Sequence, residues 1–256
     1  MLILLPPSEG KTAPRRGAAL DLGRLDFPQL EEPRAELLDA LTTLCSGEPE
    51  KAAEVLGLGP TQLGEVHRDA GLRTAPTARA DHVYSGVLYE ALDLPSLPGA
   101  AKRRATARLL VTSGLFGLVR PDDRIPAYRL SGQVALPGIG PVARFWGTRL
   151  APVVEEAAGD GLVLDLRSSA YTPFWRPTKA QSDRVVTVRV LHESGGQRKV
   201  VSHFNKATKG RLVRDLLLDG TAPRRPAQLL EALRDLGWHA EEAGSPTSVD
   251  VVVGEL

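Results

Sequence analysis

The sequence predicts a mixed α/β (α+β) protein: a single large domain in which a central mixed sheet carries an inserted helix-hairpin-helix-like element. Three observations point there. Short, mainly apolar runs recur at 2–5, 109–111, 162–166, 185–191 and 249–253, each with the length and composition of a strand. Segments with helical spacing separate them at 32–44, 145–158, 205–218 and 226–236. At 52–66, two short helical stretches meet across Gly57-Leu58-Gly59. A chain of 256 residues suits one large domain over 1–256, with 34–70 as the helix-hairpin-helix-like part.

In order, the strand at 2–5 is closed by Pro6-Pro7 and opens into the polar loop Ser8-Glu9-Gly10-Lys11-Thr12. The Gly-Lys-Thr triplet is not a P-loop, because Leu5 stands where the first glycine of that motif is required. Residues 13–33, rich in Pro, Gly and Arg, read as a surface connection. Leu37, Leu38, Leu41 and Leu44 then share one side of a helix. Pro60 sits where the first position of a helix tolerates proline. The turn before it either exposes amides that hold a nucleic-acid phosphate or is an ordinary helical corner. A stretch at 80–92 ends as helix, a Pro/Gly linker follows at 94–100, and residues 102–108 form the end of a helix.

The strand at 109–111 runs into Ser113, the glycine turn around Leu115-Phe116 and an arginine-rich loop, an arrangement suited to an anion-binding edge. Residues 133–137 and Val142 are weakly strand-like. Phe145-Trp146-Gly147 begins a helix running to about residue 158, and the strand at 162–166 ends in Arg167-Ser168-Ser169-Ala170-Tyr171. Gly195-Gly196 marks a hairpin between strands at 185–191 and 199–204. The second of these leads into a helix from Asn205, a further helix ends at Gly237, and a last strand covers 249–253.

Composition narrows the function classes. The formal net charge is only +1, but charge is segregated: 102–129 holds seven basic and two acidic residues, 198–214 six basic and none acidic, and 31–65 eight acidic and two basic. Such asymmetry gives a neutral molecule a basic cleft. Cys45 is the sole cysteine, which excludes an intrachain disulfide and a cysteine-rich zinc site and leaves a peroxide-sensing thiol without a resolving partner. The five histidines are scattered, none at the i, i+4 spacing of a helical metal pair. The N-terminus lacks the basic region of a signal peptide, and no apolar run reaches membrane-spanning length. A cytoplasmic protein is expected.

Four strands therefore empty into polar loops, after Leu5, Val111, Leu166 and Phe204. Ligands of α/β sheets gather beyond the carboxyl ends of strands. If these strands are neighbours, one rim carries Ser8, Lys11, Ser113, Arg120, Arg129, Arg167, Ser168, Lys206 and Lys209, a donor-rich edge for phosphates. Lys206 and Lys209 lie a helical turn apart and can face one ligand. Lys11, Tyr128, Ser168 and Tyr171 are the candidates for chemistry. A serine hydrolase would need a histidine such as His203 beside Ser113 or Ser168. Asp165 is expected to pair with a basic neighbour. Nothing asks for a cofactor or a metal.

The run SGLFGLVRP (113–121), followed by AYRL (127–130), FWG (145–147), LDLRSSAY (164–171) and SHFNKATKGR (202–211), resembles the YaaA peroxide-stress family in motif and order along nearly the whole chain. The loop PPSEGK departs from the family's shorter form. The resemblance implies an α/β fold with a helix-hairpin-helix element, a positively charged DNA-binding cleft, and a cytosolic bacterial role in limiting iron-driven oxidative damage. It puts weight on Lys11, Tyr84, Gly114, Gly117, Arg120, Pro121, Tyr128, Arg129, Trp146, Ser168, Tyr171, Ser202, Lys206 and Gly210. Phosphate contact is expected from Lys11, Arg120, Arg129, Arg167, Lys206 and Lys209, and from amides at Gly57 and Gly59. The expected partner is DNA bound without sequence preference. The alternative is an enzyme acting on a nucleotide or nucleobase in a donor-rich pocket at the same strand ends.

Overall fold

The computed structural model describes residues 1–200 and 202–254, with backbone only at 202–204. Its centre is β1 (Leu2–Leu5), all four residues buried. An apolar run without alternation forms a strand only where both faces are covered, and this one is also paired on both edges. β1 lies parallel to β3 (Leu109–Ser113) with Leu4 opposite Leu110, and parallel to β8 (Val163–Asp165) with Ile3 opposite Leu164. β2 (Ala78–Arg79) lies apart, pairing with β5 (Arg124–Ile125).

The sheet continues through β9 (Val185–Ser194), parallel to β8, and β12 (Ser248–Val253), parallel to β9. Antiparallel strands close both ends: β4 (Gly117–Val119) beside β3, and β11 (His239–Glu242) beside β12. β10 (Gln197–Lys199) folds back on β9 through the Gly195-Gly196 turn. β6 (Ala135–Leu136) and β7 (Gly140–Pro141) form a separate hairpin. The mixed central sheet is the predicted one. The short strands β4 and β11 carry no apolar run long enough to signal them.

Helices cover the sheet. α1 (Glu31–Cys45) packs with α2 (Pro49–Leu56) and α3 (Leu63–Ala70). The stretch at 80–92 ends as helix, as expected: a short α4 (Ala80–Val83) precedes α5 (Val87–Leu92), separated from it where Tyr84 is extended and Gly86 takes a φ of 92°. α6 (Gly99–Arg108) leads into β3. The expected helix at 145–158 is two: α7 (Val142–Gly147) and α8 (Ala151–Ala158), which starts with Pro152 in its first turn, where proline is tolerated.

α9 (Ser202–Asp219) begins where a strand was expected to continue to Phe204. The pairing of β10 with β9 extends only to Lys199 opposite His192. α9 packs along α5, and a side chain at Gly210 would press within 2.3 Å of the Leu88 carbonyl oxygen. α10 (Pro226–Asp235) covers β11.

The β3–β4 turn explains the glycines of SGLFGLVRP. Gly117 has a φ of 71°, and a Cβ there would stand 2.8 Å from the Trp146 ring, so only glycine meets both demands. Trp146 in turn donates its indole N–H to the Gly114 carbonyl at 2.8 Å.

The edge strand β4 would leave carbonyls open to another chain. Arg34 of α1, fully buried, donates from Nε to the Phe116 carbonyl at 3.0 Å and from Nη2 to the Leu118 carbonyl at 2.8 Å. Burial lowers its pKa to about 10, which leaves it charged at neutral pH. Replacing Arg34 by Met strands two buried acceptors, and a loss of about 2–4 kcal/mol is expected in urea unfolding. An unchanged midpoint would show that water or a shifted neighbour satisfies those carbonyls instead.

Candidate functional site

The C-terminal ends of β1, β3 and β8 are adjacent, so the loops that follow them meet. Proline at 6 and 7 cannot donate to a ladder, and the chain leaves the sheet. The loop is then stitched to the α4–α5 break: Ser85 donates its amide to Ser8 Oγ at 3.1 Å, Thr12 its amide to the Val83 carbonyl at 2.8 Å, and Lys11 bridges Tyr84. This fixes Lys11. Its Nζ donates to the Ser8 carbonyl at 2.8 Å and stands 4.1 Å from the Tyr128 ring centroid and 5.6 Å from that of Tyr84, within cation–π range of both.

Below the ammonium lies a line of hydroxyls. Tyr84 Oη is 3.2 Å from Tyr128 Oη, which is 2.7 Å from Ser113 Oγ at the end of β3. Ser113 also accepts the Phe116 amide at 2.9 Å. Burial raises the pKa of both tyrosines, so they are neutral donors and acceptors at neutral pH. Tyr171 accepts the Gly132 amide at 3.3 Å, and burial pushes it up to about 12.

The helical subregion supplies the acid. Asp69, near the end of α3, is fully buried and accepts the Arg129 amide at 3.0 and 3.2 Å through its two oxygens. Burial raises its pKa to about 7, opposed by that hydrogen bond and by the charge of Lys11. Lys11 is lowered to about 8, mainly by burial, with Glu9, Asp69 and Glu65 opposing and Arg129 reinforcing the shift. The Arg129 guanidinium pairs with Glu9 at 2.7 Å. A base and an acid displaced toward each other around neutrality are a common mark of a functional site.

The expected single rim is divided. Lys11, Ser113, Tyr128 and Arg129 come together. Arg120 does not join them, because β4 is antiparallel to β3 and carries the chain back to the other end of the sheet. There Arg120 donates to the Thr106 and Ala107 carbonyls at the end of α6 and pairs with Asp26. It lines an open cleft of about 800 Å³ with Arg79, Lys102 and Arg103, balanced by Asp26, Asp81 and Asp122. Arg104 and Arg108 donate to carbonyls at 217–221 at the end of α9. The first basic cluster is thus largely structural.

Arg167 is on the right edge but fully engaged: bidentate to Asp165 at 2.9 and 2.7 Å, and bonded to the Tyr171 and Trp175 carbonyls. The expected pairing of Asp165 is therefore met within its own strand end. Ser168 is exposed, its carbonyl accepting the Tyr171 and Thr172 amides. Lys206 is exposed and Lys209 half-buried, with its pKa lowered by burial and partly restored by Asp165. His203, and the side chain of Ser202 on which the resemblance puts weight, lie outside the described side chains.

At the helical turn, Gly57 has a φ of 66° and donates its amide to the Glu54 carbonyl at 3.1 Å, Leu58 donates to Ala53 at 2.8 Å, and Gly59 to Gln62 Oε1 at 3.1 Å. These amides are already partnered. Among the described residues no group of three His, Cys, Asp or Glu is arranged to hold a metal ion, and no helix is long and apolar enough to cross a membrane. Sequence reading passed over Asp69 and Glu9. The signal for Asp69 was present: it lies three residues from Val66, an acid on the buried face of its helix.

Residues 1–243 match the family model described as peroxide stress protein YaaA. A UPF0246 protein of Streptomyces coelicolor is 56% identical over 261 residues, covering 100% of both chains. One of Corynebacterium efficiens is 44% identical over 229 residues, covering 88% of this chain and 86% of its own. One of Ruegeria sp. is 32% identical over 228 residues, with 86% and 87% covered.

Two predictions follow from the buried ionisable groups. A carboxyl raised from about 4 in the unfolded chain to about 7 binds protons better folded, so its contribution to stability falls as pH rises through that interval. Asp69→Asn keeps the acceptor for the Arg129 amide and removes this loss. Relative to the native chain, its melting temperature is expected to rise between pH 5 and pH 8, and a gap independent of pH would contradict the assignment. Cys45, buried with its thiol pushed up to about 12 by burial and by the Asp69 charge, is expected to escape iodoacetamide at pH 8 until urea unfolds the chain. Labelling of the folded protein would overturn that.

Proposed function

The chain belongs to the YaaA family of peroxide stress proteins, and from that membership we propose that it protects DNA by binding it without sequence preference and so limits iron-driven oxidative damage. The observation that carries the proposal is the pair Lys206 and Lys209 in the first turns of α9, with Lys209 near enough to the end of β8 to feel the charge of Asp165. Among the described residues, no carboxylate lies within ion-pair distance of either ammonium, and Lys209 feels only the charge of Asp165, already held by Arg167. Cations without partners beside a donor-rich rim suit a chain of phosphates. Arg129 can exchange Glu9 for a phosphate oxygen, since that carboxylate is more than half exposed.

A second reading, an enzyme acting on a nucleotide or nucleobase, draws on the buried group of Lys11, Tyr128 and Asp69, which a duplex resting on the rim would not use. Tyr171 lies near enough to Tyr128 and Arg129 to feel them, and Ser168 holds the amide of Tyr171. ATP or a free purine should then raise the melting temperature by mass action.

Fluorescence anisotropy with a labelled duplex tests the first reading. The double substitution Lys206→Ala, Lys209→Ala is expected to weaken binding equally for unrelated sequences and to lower the slope of log affinity against log salt by about two. An unchanged slope would remove these residues from the interface, and displacement of the duplex by low concentrations of one nucleotide would favour the enzyme.

A further inference from the structure

We propose that Lys11 is an amine nucleophile that captures the aldehyde of a phosphorylated sugar as an imine, with Asp69 moving the proton and Arg129 receiving the phosphate. The inference starts from what Lys11 is denied. A lysine at a surface normally extends its ammonium into water. Here the backbone bridge to Tyr84 and the loop bonds at Ser8 and Thr12 hold the residue down. The Nζ lies against the Tyr128 ring with the Ser8 carbonyl as its hydrogen-bond acceptor. An ammonium has three donors, so the group is both confined and under-used.

Confinement away from water is the usual way a lysine becomes a nucleophile. The lowering to about 8 means that a substantial fraction of the amine is neutral near physiological pH. The lone pair of that amine adds to the carbonyl carbon, and the carbonyl π electrons move to oxygen. The oxygen takes one proton, moved from the nitrogen, to give the carbinolamine hydroxyl, then a second supplied through Asp69 from solvent, and leaves as water as the C=N bond of the protonated imine forms. Asp69, held by the Arg129 amide and raised to about 7, can take the proton from the adding amine and return one to the departing oxygen. The Tyr128 ring, under the nitrogen throughout, favours the positive charge of the iminium.

The ligand class follows from the neighbours. Arg129 stands beside Lys11, its guanidinium on the exposed carboxylate of Glu9, and its charge reaches Lys11. A phosphate can replace that carboxylate in a bidentate pairing. An aldehyde with a phosphate nearby occurs in free aldose phosphates and at abasic positions of DNA, which exist partly as the open aldehyde. The second source rests on the DNA reading given above, and the first does not.

The test is reductive trapping of the full-length chain. Protein is incubated with sodium cyanoborohydride, which delivers hydride to the iminium carbon, and with either ribose 5-phosphate or a duplex containing one abasic site. Adducts are mapped by peptide mass spectrometry on the native chain, so the result does not depend on a variant folding. One adduct concentrated at Lys11 is expected. Lys11→Arg, which keeps the charge and lacks the nucleophile, abolishes it, and Asp69→Asn slows its formation about 100-fold, the scale of general acid–base assistance.

Adducts spread over Lys102, Lys179 and Lys206 without excess at Lys11, or no adduct from either probe, would overturn the proposal. Binding of an intact duplex is measured in parallel. Salt-sensitive duplex binding without trapping refutes the amine chemistry alone. Trapping of ribose 5-phosphate without duplex binding refutes the DNA reading and leaves the amine chemistry standing.

Discussion

Enclosure of β1 is the constraint from which the rest of the molecule follows. With Leu2, Ile3, Leu4 and Leu5 buried, and with β3 and β8 hydrogen-bonded along both edges, the strand can tolerate no polar residue and can release the chain only at its ends. Pro6-Pro7 ends the ladder, and the next polar side chains are delivered to the floor between two parallel neighbours. Lys11 is half-buried for that reason. β3 and β8, running the same way, bring Ser113 and Arg167 to the same level, and Asp165 and Arg167 neutralise each other at the edge of the floor. The site is thus a consequence of parallel pairing, in which strand ends converge and helices cover both faces.

The helical subregion completes this floor. Asp69 enters it from α3 and takes the amide of Arg129, tying 63–70 to 127–130 by a charge-assisted bond. Burying a carboxylate and an ammonium in one region is costly unless each finds partners. The opposite shifts of Asp69 and Lys11 record that cost: between their pKa values both are charged, and their mutual attraction offsets only part of the lost hydration. An apolar pair would be expected to serve stability better, so the retention of two ionisable groups points to use, as with perturbed groups generally. The turn at Gly57 and Gly59 in the same subregion had two expected roles, a phosphate-binding turn or an ordinary helical corner. Its amides are spent on Glu54, Ala53 and Gln62, and what it brings to the site is a side chain from the following helix.

Much of the sheet was legible because buried parallel strands announce themselves as apolar runs, and of the rim expected from the loops after Leu5, Val111, Leu166 and Phe204 the structure brings Lys11, Ser113 and Arg129 together, with Tyr128 joining them. The errors have a common origin in elements too short to carry a period. β4 has three residues, and its reversal sends Arg120 to the far end of the sheet to cap α6. The break at 148–150 divides a helix whose apolar spacing runs through it. Helix was read from Asn205 and begins at Ser202, where edge pairing with β9 ends at His192. Arg34 was invisible for a different reason. An arginine on an apolar helix face is unremarkable in a sequence rich in arginine, and its role depends on the carbonyls of an edge strand 82 and 84 residues away.

The lysines of α9 and the confined lysine of the β1 loop ask for different things from a ligand. Lys206, exposed, and Lys209, half-buried a turn away, suit a partner that brings many phosphates and needs no exact fit. Lys11 sits on an aromatic floor with a buried acid close enough to exchange charge effects, and it suits one group held in one orientation. The two demands are compatible where a long polyanion lies on the rim and a single nucleotide reaches the floor. In that arrangement the phosphates supply affinity, the floor supplies selectivity, and Arg129 belongs to both: its amide holds Asp69 in the interior while its guanidinium faces Glu9 at the surface. Removing the α9 cations would then weaken capture of the polymer and spare chemistry on a small ligand, whereas disturbing Asp69 would leave the rim intact and stop what happens beneath it.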